Sequence, residues 1–346
     1  MGALGIPVNP TLQKWLDFPA FVRVRQLKWI DTALTDNVLN AFHALALDEH
    51  RSPFSPAVWE KPEGCMTNLK QVWFPGVHSG VGGGYEDTAT ADISLAWMMD
   101  QLSGNSTGQA RYEDAEKWIE FKDDYLVRLQ YMNREWYKNH KLPPKTWGSG
   151  AIFRSLNFPQ SLAGRINRTP GRYRVLDSAT GKALEGNLLR DTNELIHASV
   201  RARIDLGGHG PVDSPNQWAL WTRLVGLLHR IMGRTGARFY RPAALQGWTL
   251  KDGHDHHDDL AVNNRLLLSR DAAVPTWTWQ GEDAQVKKGI CLYEDGMGRF
   301  ELQLLRRYEQ VCDDIEASNQ GLESIEALRI RQRQTKERET RRSVTV

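Results

Sequence analysis

Three groups of residues in this chain are of types that do chemistry. The first is His78, in the stretch WFPGVHSGVGGGY from Trp73 to Tyr85. An imidazole titrates near neutral pH, so it can act as general base and then general acid for a nucleophile supplied elsewhere. Gly80, Gly82, Gly83 and Gly84 follow it, and residues without a Cβ allow positive φ and let backbone or ligand approach a ring closely. The same residues also fit a histidine that packs or hydrogen-bonds within a turn. The second group is GNSTG, Gly104 to Gly108, the only GxSxG string in the chain. It follows a helical segment instead of a strand, so Ser106 is expected to be an ordinary loop serine. The third is the HDHHDD run from His254 to Asp259. Adjacent residues on a loop rarely converge on one ion, and no spaced partner of the HExxH kind accompanies them. A solvated polar loop is expected there, with no metal and no cofactor.

The elements that must position His78 are legible around it. Leu69 to Phe74 is a short apolar run stopped by Pro75-Gly76, which predicts a mostly buried strand with His78 on a loop just past its end. From Asp87 to about Leu102 the apolar residues Ile93, Leu95, Ala96, Trp97 and Met99 predict a helix. Strand, histidine loop and helix in this order belong to an α/β layer. Ahead of the strand, Val38, Leu39, Phe42, Leu45 and Ala46 recur at helical spacing, and Thr35 or Asp36 is a good N-cap, which predicts a helix to about Glu49. His43 lies beside that stripe and is expected to be structural. Ser79 adjoins His78, but neighbouring side chains on a tight loop rarely reach one another with an open approach for a carbonyl.

Further along, residues 111 to 140 carry an amphipathic helical pattern, and the Pro and Gly content from Lys141 to about Asp191 predicts loop with short strands. ELIHASVRARI, Glu194 to Ile204, fits a strand or a short helix. Trp218 to Met232 fits an amphipathic helix. Trp59, Trp147, Trp248, Trp277 and Trp279 fall in stretches that read as loops, as if large rings pin irregular segments. Leu328 to Arg342 holds seven Arg or Lys against two Glu, the composition of a solvated tail.

Composition narrows the class of function. The 346 residues carry 44 basic and 42 acidic side chains, a net charge of +2, so no overall field marks a binder of nucleic acid or of an anionic surface. No apolar run approaches the roughly 20 residues that span a bilayer, and no charged-then-apolar leader opens the chain. Cys65, Cys291 and Cys312 are far apart and have no CxxC spacing, which fits a reducing compartment; the cytoplasm is the expected location.

WFPGVHSGVGGGY, together with NVLNAFHALALDEHRSPFSPAVWE, RTPGRYR and ELIHASVRARI, resembles the α/β-hydrolase-type domain shared by bacterial type VI secretion phospholipase effectors and a large group of uncharacterised fungal proteins. The likeness is specific from Leu34 to Tyr85 and looser from Thr169 to Arg203. From Tyr240 to Trp248 and from Leu292 to Leu305 it is mainly to the fungal branch. Members carry a Ser-Asp-His triad, with serine on a GxSxG elbow, aspartate in a WDTVG-like segment and histidine in the FPGVH loop. By this resemblance His78 is the catalytic histidine, and the substrate is a lipid or other acyl ester.

The family reads roughly WDTVGALGIP where this chain opens MGALGIP, so Gly2 falls just past the position of the aspartate. Asp31, in IDTALTD, matches a different position and is expected to be structural. In an α/β hydrolase the order is Ser, Asp, His, so the resemblance implies a catalytic domain represented by its C-terminal part. It implies a partial α/β-hydrolase-like layer over 1–140, a loop-rich extension over 141–322 and a basic tail over 323–346. The partners of the Leu69–Phe74 strand are then expected to be missing, leaving an apolar edge and an inactive, marginally stable chain. A non-catalytic remnant that binds a lipid or a protein is the alternative.

Overall fold

The computed structural model describes residues 33–35, 37–51, 54–103, 119–122, 124–140, 147–155, 165–176, 183–205, 239–251, 275–281, 289–305 and 307. Ser106, Asp31, the His254–Asp259 run, the Trp218–Met232 segment and the basic tail lie outside the described residues.

Strand β2 (Asn68–Phe74) forms where expected, and its last three residues, Val72, Trp73 and Phe74, are completely buried. β-Branched and aromatic side chains favour the extended backbone, and full burial of one such side chain is worth about 2–3 kcal/mol. The chain leaves the strand at Gly76, whose φ of +124° suits a residue without a Cβ.

The segment before it is strand β1 (Asn40–Ala46), not the expected helix. It runs parallel to β2 in register from Asn40 opposite Asn68 to Ala46 opposite Phe74. Leu45 and Leu47 pack into one core cluster, and Phe42, Ala44 and Ala46 pack against the other. A parallel strand covered on both faces shows no polar alternation, so its apolar residues mimic a helical stripe.

The ELIHASVRARI stretch holds both alternatives in succession: β5 (Glu194–His197) runs straight into helix α4 (Ala198–Asp205). β5 pairs in parallel with the free side of β2, which overturns the expectation that β2 lacks partners. Beyond β5 come β8 (Cys291–Asp295), parallel to it, then β7 (Thr276–Trp279), antiparallel to β8, and β6 (Trp248–Lys251), antiparallel to β7. Among the described residues the sheet order is therefore β1-β2-β5-β8-β7-β6, an α/β arrangement of six strands. Trp248, Trp277 and Trp279 belong to strands and not to loops; Trp277 and Trp279 are buried two residues apart.

Helix α1 (His78–Val81) is a single turn, and α2 (Ala89–Leu102) is the helix expected after the glycines. Asp87 starts α2: one carboxylate oxygen accepts the Ala89 N–H at 3.1 Å and the other the Ala151 N–H at 2.9 Å. Helix α3 (Tyr125–Asn139) buries Leu126, Asn133 and Tyr137, a stripe at helical spacing. Trp97, Met99, Leu126, Phe300 and Leu304 cover one face of the sheet, and Ile152, Tyr240, Leu245 and the strand tryptophans belong to the second core cluster. A separate hairpin, β3 (Arg174–Leu176) with β4 (Ala183–Leu188), lies in the stretch expected to hold short strands.

Candidate active site

In a parallel sheet functional groups collect past the carboxyl ends of the strands. His78 lies four residues beyond Phe74, the last residue of β2, as the first residue of α1 instead of on an open loop. The short turn forms because Gly80 N–H and Val81 N–H both reach the Val77 carbonyl, at 2.8 and 2.9 Å. Of the glycines after it, Gly83 and Gly84 use the left-handed freedom, with φ of +83° and +131°. Gly80 is helical, and a Cβ there would meet only the Val77 side chain at an ordinary 3.8 Å.

Two adjacent carboxylates grip this turn. Past the end of β1 the ladder continues, with Leu47 N–H on the Phe74 carbonyl at 3.0 Å and Asp48 N–H on the Gly76 carbonyl at 2.9 Å. Asp48 Oδ2 then accepts the Gly76 N–H at 2.7 Å and the Tyr240 hydroxyl at 2.8 Å. Glu49 Oε2 accepts the backbone N–H of His78 at 3.2 Å. The Arg51 fork closes on Glu49, with Nε on Oε1 at 2.9 Å and Nη2 on Oε2 at 2.8 Å, while the Arg51 N–H also reaches Oε1 at 2.8 Å. Such a bidentate pair is directional as well as strong.

The imidazole itself is half-buried. Its ring lies 4.9 Å from the Phe54 ring, tilted 59° to it, and the Arg51 guanidinium sits 3.8 Å above the Phe54 ring. Arg168, buried, ties the same loop by donating to the Phe54 carbonyl at 2.7 Å and to the Arg51 carbonyl and Ser55 Oγ at 3.2 Å each. Among the described residues no side chain hydrogen-bonds the His78 ring nitrogens. Ser79 is in α1 but does not bond the ring.

Burial lowers the proton affinity of His78; the Glu49 charge opposes this, and Arg51 and Arg168 add to it. The ring is thus held neutral at pH 7, the state a general base needs. Burial alone would raise the Glu49 carboxyl, but its bonds from Arg51 win and keep it below the usual range. Asp48 has no such cation in contact, and burial pushes it up to about 6 against the pull of its Gly76 and Tyr240 bonds.

Asp48, Glu49, Arg51, Phe54, Arg168 and Tyr240 carry no sequence motif that marks them as parts of a site. The available signal was the DEHR string, Asp48 to Arg51, placed directly after an apolar run; charges at that point mark a strand end as readily as a helix end. His43, expected to be structural, lies midway along β1, where it bonds Gln71 Oε1 at 3.2 Å and packs on Trp59. Among the described residues no group of His, Cys, Asp and Glu side chains could hold a metal ion, and no helix is long and apolar enough to cross a membrane.

Residues 1–101 match the family model described as T6SS, phospholipase effector Tle1-like, catalytic domain. The matched stretch contains β1, β2, α1, the Asp48-Glu49 pair and His78. Neither the curated proteins nor the solved structures contain a match to the chain.

Proposed function

We propose, from the phospholipase-type catalytic family that residues 1–101 match, that His78 is the general base and acid of a serine ester hydrolase acting on lipid acyl esters. The observation that carries this reading is the half-buried, neutral imidazole in the matched segment, fixed past the carboxyl end of a central parallel strand while its ring nitrogens bond no described residue. In such a hydrolase the base takes the serine proton as the hydroxyl attacks the ester carbonyl, then returns it to the leaving alcohol. A WDTVG segment is not in these 346 residues, and the only GxSxG string, GNSTG, begins two residues past the end of α2 and not after a strand. The chain by itself is therefore expected to be inactive. The free Cys65 and Cys291 thiols support a reducing, cytoplasmic setting.

The test is turnover of a short acyl ester and of phospholipid vesicles by the chain complemented with a family member's elbow and acid segments. His78→Ala should lower turnover by on the order of a thousandfold. Equal activity with and without His78 would remove it as the base. The uncomplemented chain should show no turnover above its own His78→Ala control, and covalent labelling of it by a fluorophosphonate would overturn the expected inactivity; loss of that label in Ser106→Ala would name the nucleophile.

A further inference from the structure

Asp48 and Glu49 are neighbours in sequence, yet both carboxylates turn onto one loop and bond alternate amides of it. Asp48 Oδ2 holds the Gly76 N–H at 2.7 Å, and Glu49 Oε2 holds the His78 N–H at 3.2 Å. We propose that this pair is a positioning clamp for His78, in which Asp48 fixes where the turn begins and Glu49 fixes the backbone of the histidine and the electrostatic environment of its ring. The inference rests on the reading of His78 as the base.

Glu49 does not act as the acid that hydrogen-bonds the imidazole. Its oxygens are already occupied by three donors of Arg51 and by the His78 backbone N–H. It is 1% exposed, so water does not compete for it. Through Arg51 the same carboxylate also governs the ring's packing, because the guanidinium lies over Phe54 and Phe54 lies against the imidazole. One buried anion thereby sets backbone position, ring contact and local charge together.

Asp48 extends the clamp to a distant part of the chain. The Tyr240 hydroxyl donates to the oxygen that holds Gly76, at 2.8 Å, and the Arg203 guanidinium lies 5.1 Å over the Tyr240 ring. Arg203 in turn donates to the carbonyls of Gly148 and Gly150, at 2.9 and 2.7 Å. The histidine turn is thus anchored to residues 148–150, 203 and 240, all outside the segment that carries the family match.

The two halves of the clamp separate experimentally, since each carboxylate holds a different amide. By hydrogen exchange of the full chain, the Gly76 and His78 amides should both be protected. Asp48→Ala should release Gly76, and Glu49→Ala should release His78, each by about tenfold or more. Unprotected amides in the unaltered protein, or unchanged exchange in the two variants, overturn the clamp. Glu49→Gln keeps an acceptor oxygen but no charge, so it should retain His78 amide protection while the ring's NMR titration moves to lower pH; Asp48→Asn should leave that titration in place. A ring titration indifferent to Glu49→Gln removes the electrostatic half of the proposal. In the complemented hydrolase Glu49→Gln should lower kcat more than it raises KM. Should His78→Ala leave that hydrolase at full activity, the base assignment falls, while the exchange measurements still decide whether the clamp exists.

Discussion

Two histidines stand at the carboxyl ends of neighbouring parallel strands, and the fold treats them oppositely. His78, beyond β2, is half-buried with a ring that bonds no described residue. His197, the last residue of β5, is fully buried with both nitrogens engaged. Its Nδ1 accepts the Ser199 backbone N–H at 3.1 Å and lies 2.7 Å from Ser199 Oγ. A backbone N–H cannot reverse, so Nδ1 is the acceptor and Nε2 carries the proton, donated to Glu301 Oε1 at 2.6 Å. The serine, histidine and glutamate thus form a relay with the connectivity of a hydrolytic triad. Ser199 is completely buried, however, and reaches the ring from only two positions along the chain. Residue types and hydrogen-bond order do not make a catalytic site when substrate has no approach; an imidazole with all its partners supplied by the protein is a structural tie.

The tie joins the β5–α4 junction to residues 298–305. Glu301 Oε2 accepts the Gly298 N–H at 2.9 Å, and Asp100 of α2 accepts the N–H groups of Phe300 and Glu301 at 2.9 and 3.0 Å. Lys70 pairs with Asp295 at 2.8 Å beside them, and Arg201 pairs with Glu294 at 2.8 Å. His78 has one backbone clamp; His197 is woven into a network that draws on β2, β5, β8, α2 and α4.

Replacing each histidine in turn should therefore break different properties. His197→Ala leaves the Glu301 carboxyl buried without its donor and opens a cavity against Phe74, which stacks on the ring at 4.4 Å. A loss of about 3–5 kcal/mol in urea unfolding is expected. His78→Ala should cost less than about 1 kcal/mol. Similar losses for the two would erase the distinction.

Acid sharpens the contrast. Burial depresses the folded-state affinity of His197 to about 4, against an ordinary 6.5, partly offset by Asp295 and Glu294. A depressed histidine stabilises the fold fully above its unfolded value, and that contribution falls away as pH drops from about 6.5 towards 4. At roughly 1.4 kcal/mol per unit the loss is about 3 kcal/mol. Asp48, Asp92 and Asp100, raised by burial to about 6, 7 and 7, act in the opposite sense: their protonated forms favour the fold, and that stabilisation is lost as pH rises through those values. The measurement is therefore a difference. The stability gap between the protein and His197→Gln should shrink as pH falls from 7 to 4, and an unchanged gap would show that His197 does not titrate with unfolding. The corresponding gap for His78→Gln should move less, because its burial is only partial.

The glycines beside the two sites differ in the same way. A Cβ on Gly298 would run into the Asp100 carboxylate, closer than real side chains approach. Gly298→Ala should cost about 1–3 kcal/mol by pushing Asp100 off the amides it holds. Gly80 is helical with open room, so Gly80→Ala should be neutral or stabilise by up to about 1 kcal/mol in a thermal melt. A large loss at Gly80 would mean that the turn carrying His78 is as tightly built as the tie at His197.

Local chemistry made part of this legible from sequence. Leu69 to Phe74 reads as a strand because its β-branched and aromatic residues stop at Pro75-Gly76, and the helix at Ala89–Leu102 reads from its apolar repeat and the Asp87 start. His78 stands out because glycines surround it. These are signals between residues a few positions apart, where backbone propensity and turn chemistry act alone. β1 reads as a helix because burial on both faces, a property of its neighbours, erases the polar alternation that identifies a strand. The tertiary structure alone decided that β5, 121 residues from β2 across the Trp73–Glu194 bond, completes the sheet, and that Glu301 meets His197 across 104 residues. It also decided which histidine is sealed. Access and hydrogen-bond saturation are set by what packs over a side chain, and no short-range pattern encodes that.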